Sequence, residues 1–344
     1  MKLLSICIPT YNRPEKLKEL NQTFLRLALN EYGDQIEIIV RDNSEDKIAS
    51  INRSLLAPEV RYYKNETNVG FCGSQIRLVR DANGQFIWII SDDDLILMDG
   101  FKRLMSCLPT ANEEGIDCLN LPINYRNNMG ELINHKYDLI SNCDIEIEKY
   151  LNNLHTVPFG YFAASVLRLN KKRLDWVEKE FQGNNILNIP LFLSMLRPES
   201  RLRFLDVPVI EYRETNHWMN IYKFYTDLYD VILFLEKEYR VNKAPLLDLA
   251  YKESLLMILI HRAGLRFFLN ADDARWHLLA KLGKNINFKT LLLVIAVVLP
   301  KALVRAPFLF YLSSNHALKG NFSIGGIYSR YKLLNNFTRN NTKV

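Results

Sequence analysis

The sequence predicts an α/β domain followed by a helical region. Over residues 1–105, short apolar runs typical of buried strands alternate with stretches of helical periodicity, and each apolar run ends in polar residues. Such alternation is typical of a parallel sheet covered by helices. After His217 the pattern changes to long helical periodicity, which predicts the helical region.

Four strands are predicted in order along the first part of the chain. They are LLSICIP (3–9), IEIIV (36–40), VRYYKN (60–65) and QFIWII (85–90). Helical spacing over EKLKELNQTFLRLAL (15–29) and GSQIRLVRDA (73–82) provides the connections. A later stretch, LRFLDVPVIEYRE (202–214), predicts one further strand, so residues 1–215 are interpreted as one domain and 216–344 as the helical region.

The strand ends are the predicted ligand site, because open α/β sheets bind ligands at the carboxyl ends of their strands. The four strands lead into PTYNRP, RDNSED, NETNVGF and SDDD, which are all rich in polar groups. The last is an apolar strand followed directly by Asp92, Asp93 and Asp94. Adjacent buried carboxylates repel one another, so these three either face water or meet a positive charge.

Carboxylates at a strand end suit a hard divalent cation such as Mg²⁺ or Mn²⁺. Alternation in an extended segment would place Asp92 and Asp94 on one side and Asp93 on the other. Asp94 is then predicted to hold the metal, while Asp92 meets the nucleotide sugar or its ribose. The alternative is a solvated acidic turn without a ligand.

Composition sets the broad class. The 344 residues are 48% hydrophobic and 24% charged, which is ordinary for a globular protein. The net charge of +6 is too small to indicate a nucleic-acid partner. Five cysteines without metal-ligand spacing and an N-terminus without a signal-peptide core predict reduced thiols in the cytoplasm.

The most apolar segment, residues 288–314, predicts membrane association. Its uncharged core, Leu291–Leu299, would span about 14 Å as a helix, roughly half the hydrocarbon thickness of a bilayer. A core helix and a helix pair in the membrane interface both remain open. Flanking cations favour the interface, namely Lys281, Lys284, Lys289, Lys301 and Arg305.

The four strand-end motifs, in this order, resemble those of glycosyltransferase family 2. The resembling stretches are SICIPTYNRPEKL, IVRDNSED, NETNVGF and WIISDDDLIL. The resemblance implies a GT-A fold, which is a Rossmann-like nucleotide-diphospho-sugar transferase domain, and an Asp-x-Asp metal motif. Residues 1–105 would then form the nucleotide-sugar-binding half and 106–215 the acceptor half, with 216–344 a helical, membrane-associating region.

Carried onto this chain, the resemblance implies a set of donor-binding residues. The nucleotide pocket would be lined by Pro9, Thr10, Tyr11, Asn12 and Arg13. Asp42 would contact the base, Asn68 and Gly70 would lie against the sugar nucleotide, and Arg77 would complement its phosphates. His217 would complete the metal or diphosphate site, since a histidine often does so in GT-A enzymes.

One expected feature is missing. Many family members carry a Glu-Asp pair whose Asp is the catalytic base, but the corresponding stretch, FQGNNILNIPLFLSML (181–196), contains no acidic residue. Asn188 lies there, and an amide cannot take the proton. Three explanations stay open: a base from elsewhere, retention of configuration without an enzyme base, or an inactive nucleotide-sugar-binding scaffold. The candidate bases are Asp175, Glu180, Glu211 and Glu214.

A looser resemblance links the whole chain to abequosyltransferases of bacterial O-antigen synthesis. Those enzymes transfer a 3,6-dideoxyhexose from a CDP donor to a lipid-linked oligosaccharide with retention. The resemblance implies a nucleotide-sugar donor, a polyprenyl-diphosphate-linked acceptor and a peripheral position on the cytoplasmic face of the inner membrane. An inverting transferase with a UDP, dTDP or GDP donor is the alternative, and the oligomeric state stays open.

Overall fold

A computed structural model describes the chain over residues 1–126, 132–134, 144–152, 161–213, 221–244 and 246–247. Two candidate site residues, Glu214 and His217, lie outside the described residues, as does the apolar segment 288–314. Within the described part, no helix is both long and apolar enough to cross a membrane.

The first four predicted strands are present and form one parallel block. They are β1 (Leu4–Thr10), β2 (Ile36–Asp42), β3 (Arg61–Lys64) and β4 (Phe86–Ile89). β1 pairs with β2 from Leu4↔Ile36 and with β4 from Leu4↔Phe86, and β3 pairs with β2 on the outside. Their carboxyl ends therefore lie along one edge of the sheet, hereafter the C-terminal edge.

Helices connect these strands as the sequence predicts. They are α1 (Pro14–Leu20), α2 (Arg26–Tyr32), α3 (Asp46–Leu55) and α4 (Gly70–Asp81). A π-helical turn, Asn21–Leu25, joins α1 to α2 where the apolar spacing predicts one continuous helix. Pro14 starts α1, because a first-turn proline lacks only an N–H that the helix would leave unpaired.

The second half of the domain contributes eight short strands and five helices among the described residues. The strands are β5 (Leu95–Ile96), β6 (Cys118–Asn120), β7 (Ile123–Arg126), β8 (Leu132–Asn134), β9 (Ile145–Glu146), β10 (Ser165–Arg168), β11 (Arg201–Phe204) and β12 (Ile210–Arg213). The helices are α5 (Met98–Glu113), α6 (Ile147–Asn152), α7 (Leu174–Glu180), α8 (Asn188–Ser194) and α9 (Ile221–Tyr239), with a 3₁₀ turn at Phe162–Ala164.

The large sheet is mixed, whereas strand and helix alternation indicates a parallel one. Its order is β3-β2-β1-β4-β10-β6-β11-β9, and β10 runs antiparallel to both β4 and β6. Because β10 is reversed, the residues that precede it reach the C-terminal edge. The parallel arrangement is confirmed for β1 to β4 and is wrong for the sheet as a whole.

A second sheet has the order β5-β12-β7-β8. The stretch predicted as one strand over residues 202–214 is therefore wrong, because it forms β11 in the large sheet and β12 in the small one. The break falls around Pro208, which has no N–H to donate to a ladder. β12 runs antiparallel to β5, with Glu211 opposite Leu95.

The core beneath the site is aromatic. Trp88 of β4 is fully buried and stacks on Phe101 of α5 at 6.1 Å between ring centroids, while Phe24 packs edge-on against both. The Trp88 indole N–H donates to the Ala163 carbonyl at 2.7 Å, so the buried ring has its one polar group paired. This contact ties β4 to the turn that precedes β10.

Residues 1–214 and 230–246 form one compact unit, which contains the whole of both sheets. A second unit comprises residues 215–229 and 247–344, of which the structure describes only 221–229 and 247. The α-helix α9 spans 19 residues and belongs to both ranges.

Candidate active site

Asp92 is held at the C-terminal edge by the end of β1. The Thr10 hydroxyl donates to Asp92 Oδ2 at 2.7 Å, and both side chains are buried. The two residues end neighbouring strands, so the parallel pairing of β1 with β4 brings them together. This contact anchors the acidic triplet to the first strand.

The triplet is a turn and not an extended segment. The Ser91 amide donates to Asp94 Oδ2 at 2.7 Å, and Asp94 N–H points back to the Ser91 carbonyl at 3.3 Å. Predicted alternation of Asp92 and Asp94 against Asp93 is therefore wrong. The turn forms because the Asp94 carboxylate can accept from the backbone three residues earlier.

Arg13 supplies a positive charge to two of the three carboxylates. Its guanidinium lies 3.2 Å from Asp92 Oδ1 and 3.0 Å from Asp93 Oδ2. The Arg13 side chain is half exposed, whereas only 3% of the Asp92 side chain is exposed. The arginine therefore covers the buried carboxylate from the solvent side.

Asp94 has a partner from the segment that leads into β10, the strand next to β4. The Tyr161 hydroxyl donates to Asp94 Oδ1 at 2.5 Å. Tyr161 precedes β10, and the antiparallel course of that strand brings it to this edge. With the Ser91 contacts, each of the six carboxylate oxygens in the triplet accepts a hydrogen bond from the protein.

Burial makes the charged forms of two of these carboxyls costly. Desolvation raises the pKa of Asp92 to about 6, against the opposing effects of the Thr10 hydrogen bond and the Arg13 charge. Desolvation also raises the pKa of Asp94 to about 7, although the Tyr161 and Ser91 hydrogen bonds act in the other direction. A further positive charge at this turn would favour ionisation of both groups.

Asp42 lies below the site surface. Its carboxylate is fully buried and accepts from the Ser44 amide at 2.7 Å, the Asn52 side chain at 2.7 Å and the Tyr62 hydroxyl at 2.6 Å. Because Asp42 is fully buried, contact with a base would require movement of the residues that cover it, so the predicted role stays a prediction. In this structure Asp42 holds the loop after β2 in place.

The NETNVG loop is braced from beneath. Asn43 donates to the Gly70 carbonyl at 3.1 Å and accepts from Asn65 at 2.8 Å. Arg77 donates to Asn65 at 2.8 Å, so its guanidinium supports the loop. Asn68 accepts from the Gly70 amide at 2.8 Å, and Gly70 has a φ of +71°, which favours glycine.

The PTYNRP motif contributes both buried and exposed residues. Pro9 is buried within β1, so it supports the site from inside the sheet. Tyr11 is 48% exposed, and Asn12 is exposed with a φ of +53°. The Asn12 amide donates to the Ser44 hydroxyl at 2.8 Å, which connects the first two strand-end motifs.

The stretch without acidic residues also reaches the C-terminal edge. The Cys72 thiol, in the first turn of α4, lies 3.0 Å from the Asn184 carbonyl. Asn188 then starts α8 and is 5% exposed. The stretch that lacks an acidic residue therefore lies near the first turn of α4.

The candidate bases differ in how near they lie to the acidic turn. Asp175 and Glu180 lie on α7, and Asp175 is exposed and paired with Arg80 at 2.5 Å. Glu211 is 8% exposed, and its backbone lies opposite Leu95, the residue after Asp94. Of the candidates that the structure describes, Glu211 is the one that strand pairing places beside the acidic turn.

Comparison with known proteins connects this edge to one family. Residues 5–169, just under half of the chain, match the family described as glycosyl transferase family 2. The matched range contains all four strand-end motifs and Tyr161. Over residues 5–169, the chain is similar to glycosyl transferase family 2. The resemblance seen in the motifs is confirmed, and so is the looser resemblance to abequosyltransferases, through the relative described next.

Among curated proteins, this chain is 25% identical to abequosyltransferase RfbV of Salmonella typhimurium over 229 residues. The match covers 62% of this chain and 67% of the relative. An uncharacterized glycosyltransferase of Methanocaldococcus jannaschii is 31% identical over 121 residues, which are 34% of this chain and 40% of the relative.

Solved structures establish the fold. Residues 1–349 of Staphylococcus aureus TarS share the fold with a TM-score of 0.54 at 16% identity, covering 87% of this chain and 81% of that one. Against the longer TarS structure the TM-score is also 0.54, and the chain spans 52% of its length. The predicted GT-A-like α/β fold is confirmed, with a mixed sheet.

The acidic turn fits a cation that is shared with a ligand. Among the described residues, no three His, Cys, Asp or Glu side chains are grouped so that they could hold a metal ion. Carboxylate oxygens are nonetheless the donors that Mg²⁺ and Mn²⁺ prefer, and nucleotide sites supply one or two carboxylates with the phosphates as further ligands. Asp94 and Asp92 meet that smaller requirement.

Tyr161 is a site residue that no sequence pattern indicated. No spacing along the chain connects it to Asp94, because the two are 67 residues apart. Only the reversal of β10 brings them together. The available signal was weak: an aromatic pair, Tyr161 and Phe162, directly before the short stretch AASVL (163–167).

Proposed function

We propose that this chain is a family 2 glycosyltransferase that moves a 3,6-dideoxyhexose from a CDP donor to a lipid-linked oligosaccharide, with retention of anomeric configuration. The observation that carries the proposal is the stretch 181–196, which packs at the site edge through Asn184 and contains no acid. Similarity to an abequosyltransferase over 62% of the chain supports the sugar class. Bacterial surface polysaccharide synthesis is the proposed setting.

Donor binding would use the groups at the C-terminal edge. Arg13 is half exposed and already faces two carboxylates, so its guanidinium can turn toward a diphosphate. Asn68 and Gly70 would lie against the sugar nucleotide, with Arg77 supporting their loop. Asp94 and Asp92 would hold Mn²⁺ or Mg²⁺ with the diphosphate. When bound, the cation would neutralise charge on the leaving group.

Retention removes the need for an enzyme base. The bond between the anomeric carbon and the phosphate oxygen breaks, and the acceptor oxygen bonds to the same face of that carbon. The acceptor hydroxyl proton passes to the leaving phosphate oxygen, so the departing diphosphate serves as the base. This route accounts for the absence of a carboxylate in residues 181–196.

An inverting transferase is the second candidate, and Glu211 favours it. A buried carboxyl beside the acidic turn could accept the acceptor proton from the face opposite the leaving group. The donor would then be a different nucleotide sugar, such as a UDP, dTDP or GDP sugar.

An inactive nucleotide-sugar-binding scaffold is the third reading, and it predicts nucleotide binding without turnover.

The stereochemical course separates these readings. The anomeric configuration of the first product formed from an α-linked CDP-3,6-dideoxyhexose would be read from its ¹H NMR coupling. We expect an α product, and we expect Glu211→Gln to keep kcat within about threefold. A β product, together with a loss of 10² or more in Glu211→Gln, is of the size of general-base catalysis and would establish inversion. Asp175→Asn is the matched control.

Nucleotide and metal dependence would be tested by thermal unfolding. A ligand that binds the native state raises its stability, so UDP, GDP, CDP and dTDP are compared with and without Mn²⁺. We expect the largest rise in Tm with CDP and Mn²⁺, and little rise after Asp94→Asn. Asp34→Asn, before β2 at the opposite end of the strands, is the control. An unchanged response of Asp94→Asn would contradict the proposed site.

A further inference from the structure

Two phenylalanines form an aromatic surface beside the acidic turn. The rings of Phe71 and Phe162 lie 5.3 Å apart between centroids, inclined by 57°. Phe71 is 43% exposed, and in the described part of the chain it is the one phenylalanine that is exposed. The pair is called the aromatic platform below.

Both members come from elements that already line the site. Phe71 directly follows Gly70 in the NVGF motif and lies in the first turn of α4. Phe162 follows Tyr161, and their rings are 6.0 Å apart. Tyr161 in turn donates to Asp94. Tyr161 therefore connects the platform to the carboxylate of Asp94.

The exposed ring of Phe71, close to the acidic turn, is suited to contact with a ligand. Removing a large apolar side chain from water normally lowers the free energy, and Phe71 remains exposed although Phe162 packs beside it. Ligand pockets combine apolar and aromatic walls with a few polar groups that fix orientation. Here the platform is the apolar part and Asp94 with Tyr161 is the polar part.

We propose that the aromatic platform of Phe71 and Phe162 binds the sugar ring of the donor and contributes to sugar specificity. The C–H face of the ring would pack on the phenyl rings, while the hydroxyls and diphosphate face the acidic turn and Arg13. The donor sugar is chosen because Phe71 extends the loop proposed to lie against the sugar nucleotide. The inference rests on the proposed glycosyl transfer and deepens it.

The test compares two ligands that differ only in the sugar. Dissociation constants for CDP and for CDP-abequose would be measured by calorimetry with the full chain, as wild type, Phe71→Ala and Phe162→Leu. We expect the variants to bind CDP-abequose about tenfold more weakly, which corresponds to the free energy of an aromatic contact, and to bind CDP unchanged. Phe71→Tyr should restore most of the affinity.

A control and two contrary results complete the test. Leu27→Ala removes an exposed apolar side chain of similar exposure, 45%, from a helix without site residues, and should change neither constant. If wild type binds CDP-abequose more tightly than CDP and the variants keep that difference, the proposed role of the platform is refuted, whereas the proposed function is not. If wild type binds no nucleotide sugar, the proposed function fails and the platform with it.

Discussion

At the scale of single residues, the site is built from polar side chains that are buried and paired. Thr10 and Asp92 are 4% and 3% exposed, so neither can exchange its hydrogen bond for one with bulk water. Leaving a buried acceptor unpaired costs more than a typical hydrogen bond contributes. The acidic turn is therefore held by specific donors as well as by the charge of Arg13.

Thr10→Val tests this dependence. Valine fills the space but removes the donor to Asp92, so we expect a loss of about 1–3 kcal/mol in the free energy of unfolding. The matched control is Thr23→Val, because the exposed Thr23 hydroxyl bonds only the Glu19 carbonyl of its own helix. That change should stay within about 0.5 kcal/mol. If urea denaturation gave equal losses for the two variants, the buried hydrogen bond from Thr10 to Asp92 would contribute no more stability than an exposed one.

At the scale of elements, Glu37 ties four parts of the sheet together at the edge opposite the site. Its carboxylate, on β2, accepts from the Ser5 hydroxyl of β1 at 2.6 Å and from Arg61 of β3 at 2.5 Å. It also accepts from the amides of Asn83 and Gly84, which precede β4. Burial alone would raise the pKa of Glu37, but these donors and the Arg61 charge outweigh it and hold the pKa below its ordinary value.

The pH dependence of Glu37→Gln follows from the direction of that shift. Because the pKa of Glu37 is lower in the native state, its carboxylate stabilises the fold at pH values above the unfolded-state pKa of about 4.3. This stabilisation is lost as the pH falls through the native-state pKa. We expect Glu37→Gln to reduce the free energy of unfolding by about 1–3 kcal/mol at pH 7. The difference from wild type should shrink below about pH 4.

The exposed Glu59 provides the control, since Glu59→Gln should show neither the loss at neutral pH nor its decline in acid. Denaturant titrations at several pH values would measure both variants. A gap between wild type and Glu37→Gln that stays constant down to pH 3 would show that the charge of Glu37 does not stabilise the sheet.

Gly100 connects the helix α5 to the small sheet by close backbone approach. A Cβ at this position would lie 2.0 Å from the Pro208 carbonyl oxygen and 2.6 Å from Val209 Cα, both just before β12. The Leu97 amide donates to the Val209 carbonyl at 2.9 Å in the same region. The glycine thus permits β12 to lie beside β5, next to the acidic turn.

Gly100→Ala gives opposite expectations from sequence and from structure. Helix propensity alone predicts a gain of about 1 kcal/mol from alanine in a helix. The contact with the Pro208 backbone predicts a loss, of about 1–3 kcal/mol as for overpacking. Gly115→Ala is the comparison, because nothing lies within 4 Å of its Cβ and only its φ of +70° opposes the change. A rise in Tm for Gly100→Ala would refute the close approach.

At the scale of the whole molecule, the net charge of +6 is small for a 344-residue chain, and its placement decides its effect. The cations of the C-terminal region flank the most apolar segment of the sequence. We propose that this region holds the chain on the anionic cytoplasmic face of the inner membrane, where a lipid-linked acceptor is available. Anionic lipid attracts each nearby cation by about 1 kcal/mol, and salt weakens that attraction.

Flotation of the full chain with anionic vesicles tests the membrane proposal. We expect binding at low salt that falls with added salt, and weaker binding when five C-terminal cations become glutamine, namely Lys281, Lys284, Lys289, Lys301 and Arg305. The control replaces five exposed lysines of the α/β part with glutamine, namely Lys18, Lys47, Lys102, Lys172 and Lys179. Equal loss in both variants would indicate dependence on net charge and would contradict a C-terminal anchor.

Much of the site could be predicted because it follows local patterns. Apolar runs that end in polar clusters gave the first four strands, and parallel pairing then requires their carboxyl ends to meet. Thr10, Arg13 and Asp92 were therefore expected together and are together. The buried position of Asp42 was not expected, since its depth depends on Tyr62 and Asn52 packing over it.

The sequence by itself determined the resemblance to the family, the parallel block β1 to β4 and the position of the acidic triplet, because these depend on periodicity and on residues close along the chain. Only the tertiary structure decided the reversal of β10, the break at Pro208 and the contact of Tyr161 with Asp94. Strand direction and pairing across dozens of residues depend on how the whole sheet buries its faces, and no local pattern encodes that. For the same reason, the platform of Phe71 and Phe162 is visible only in the folded chain.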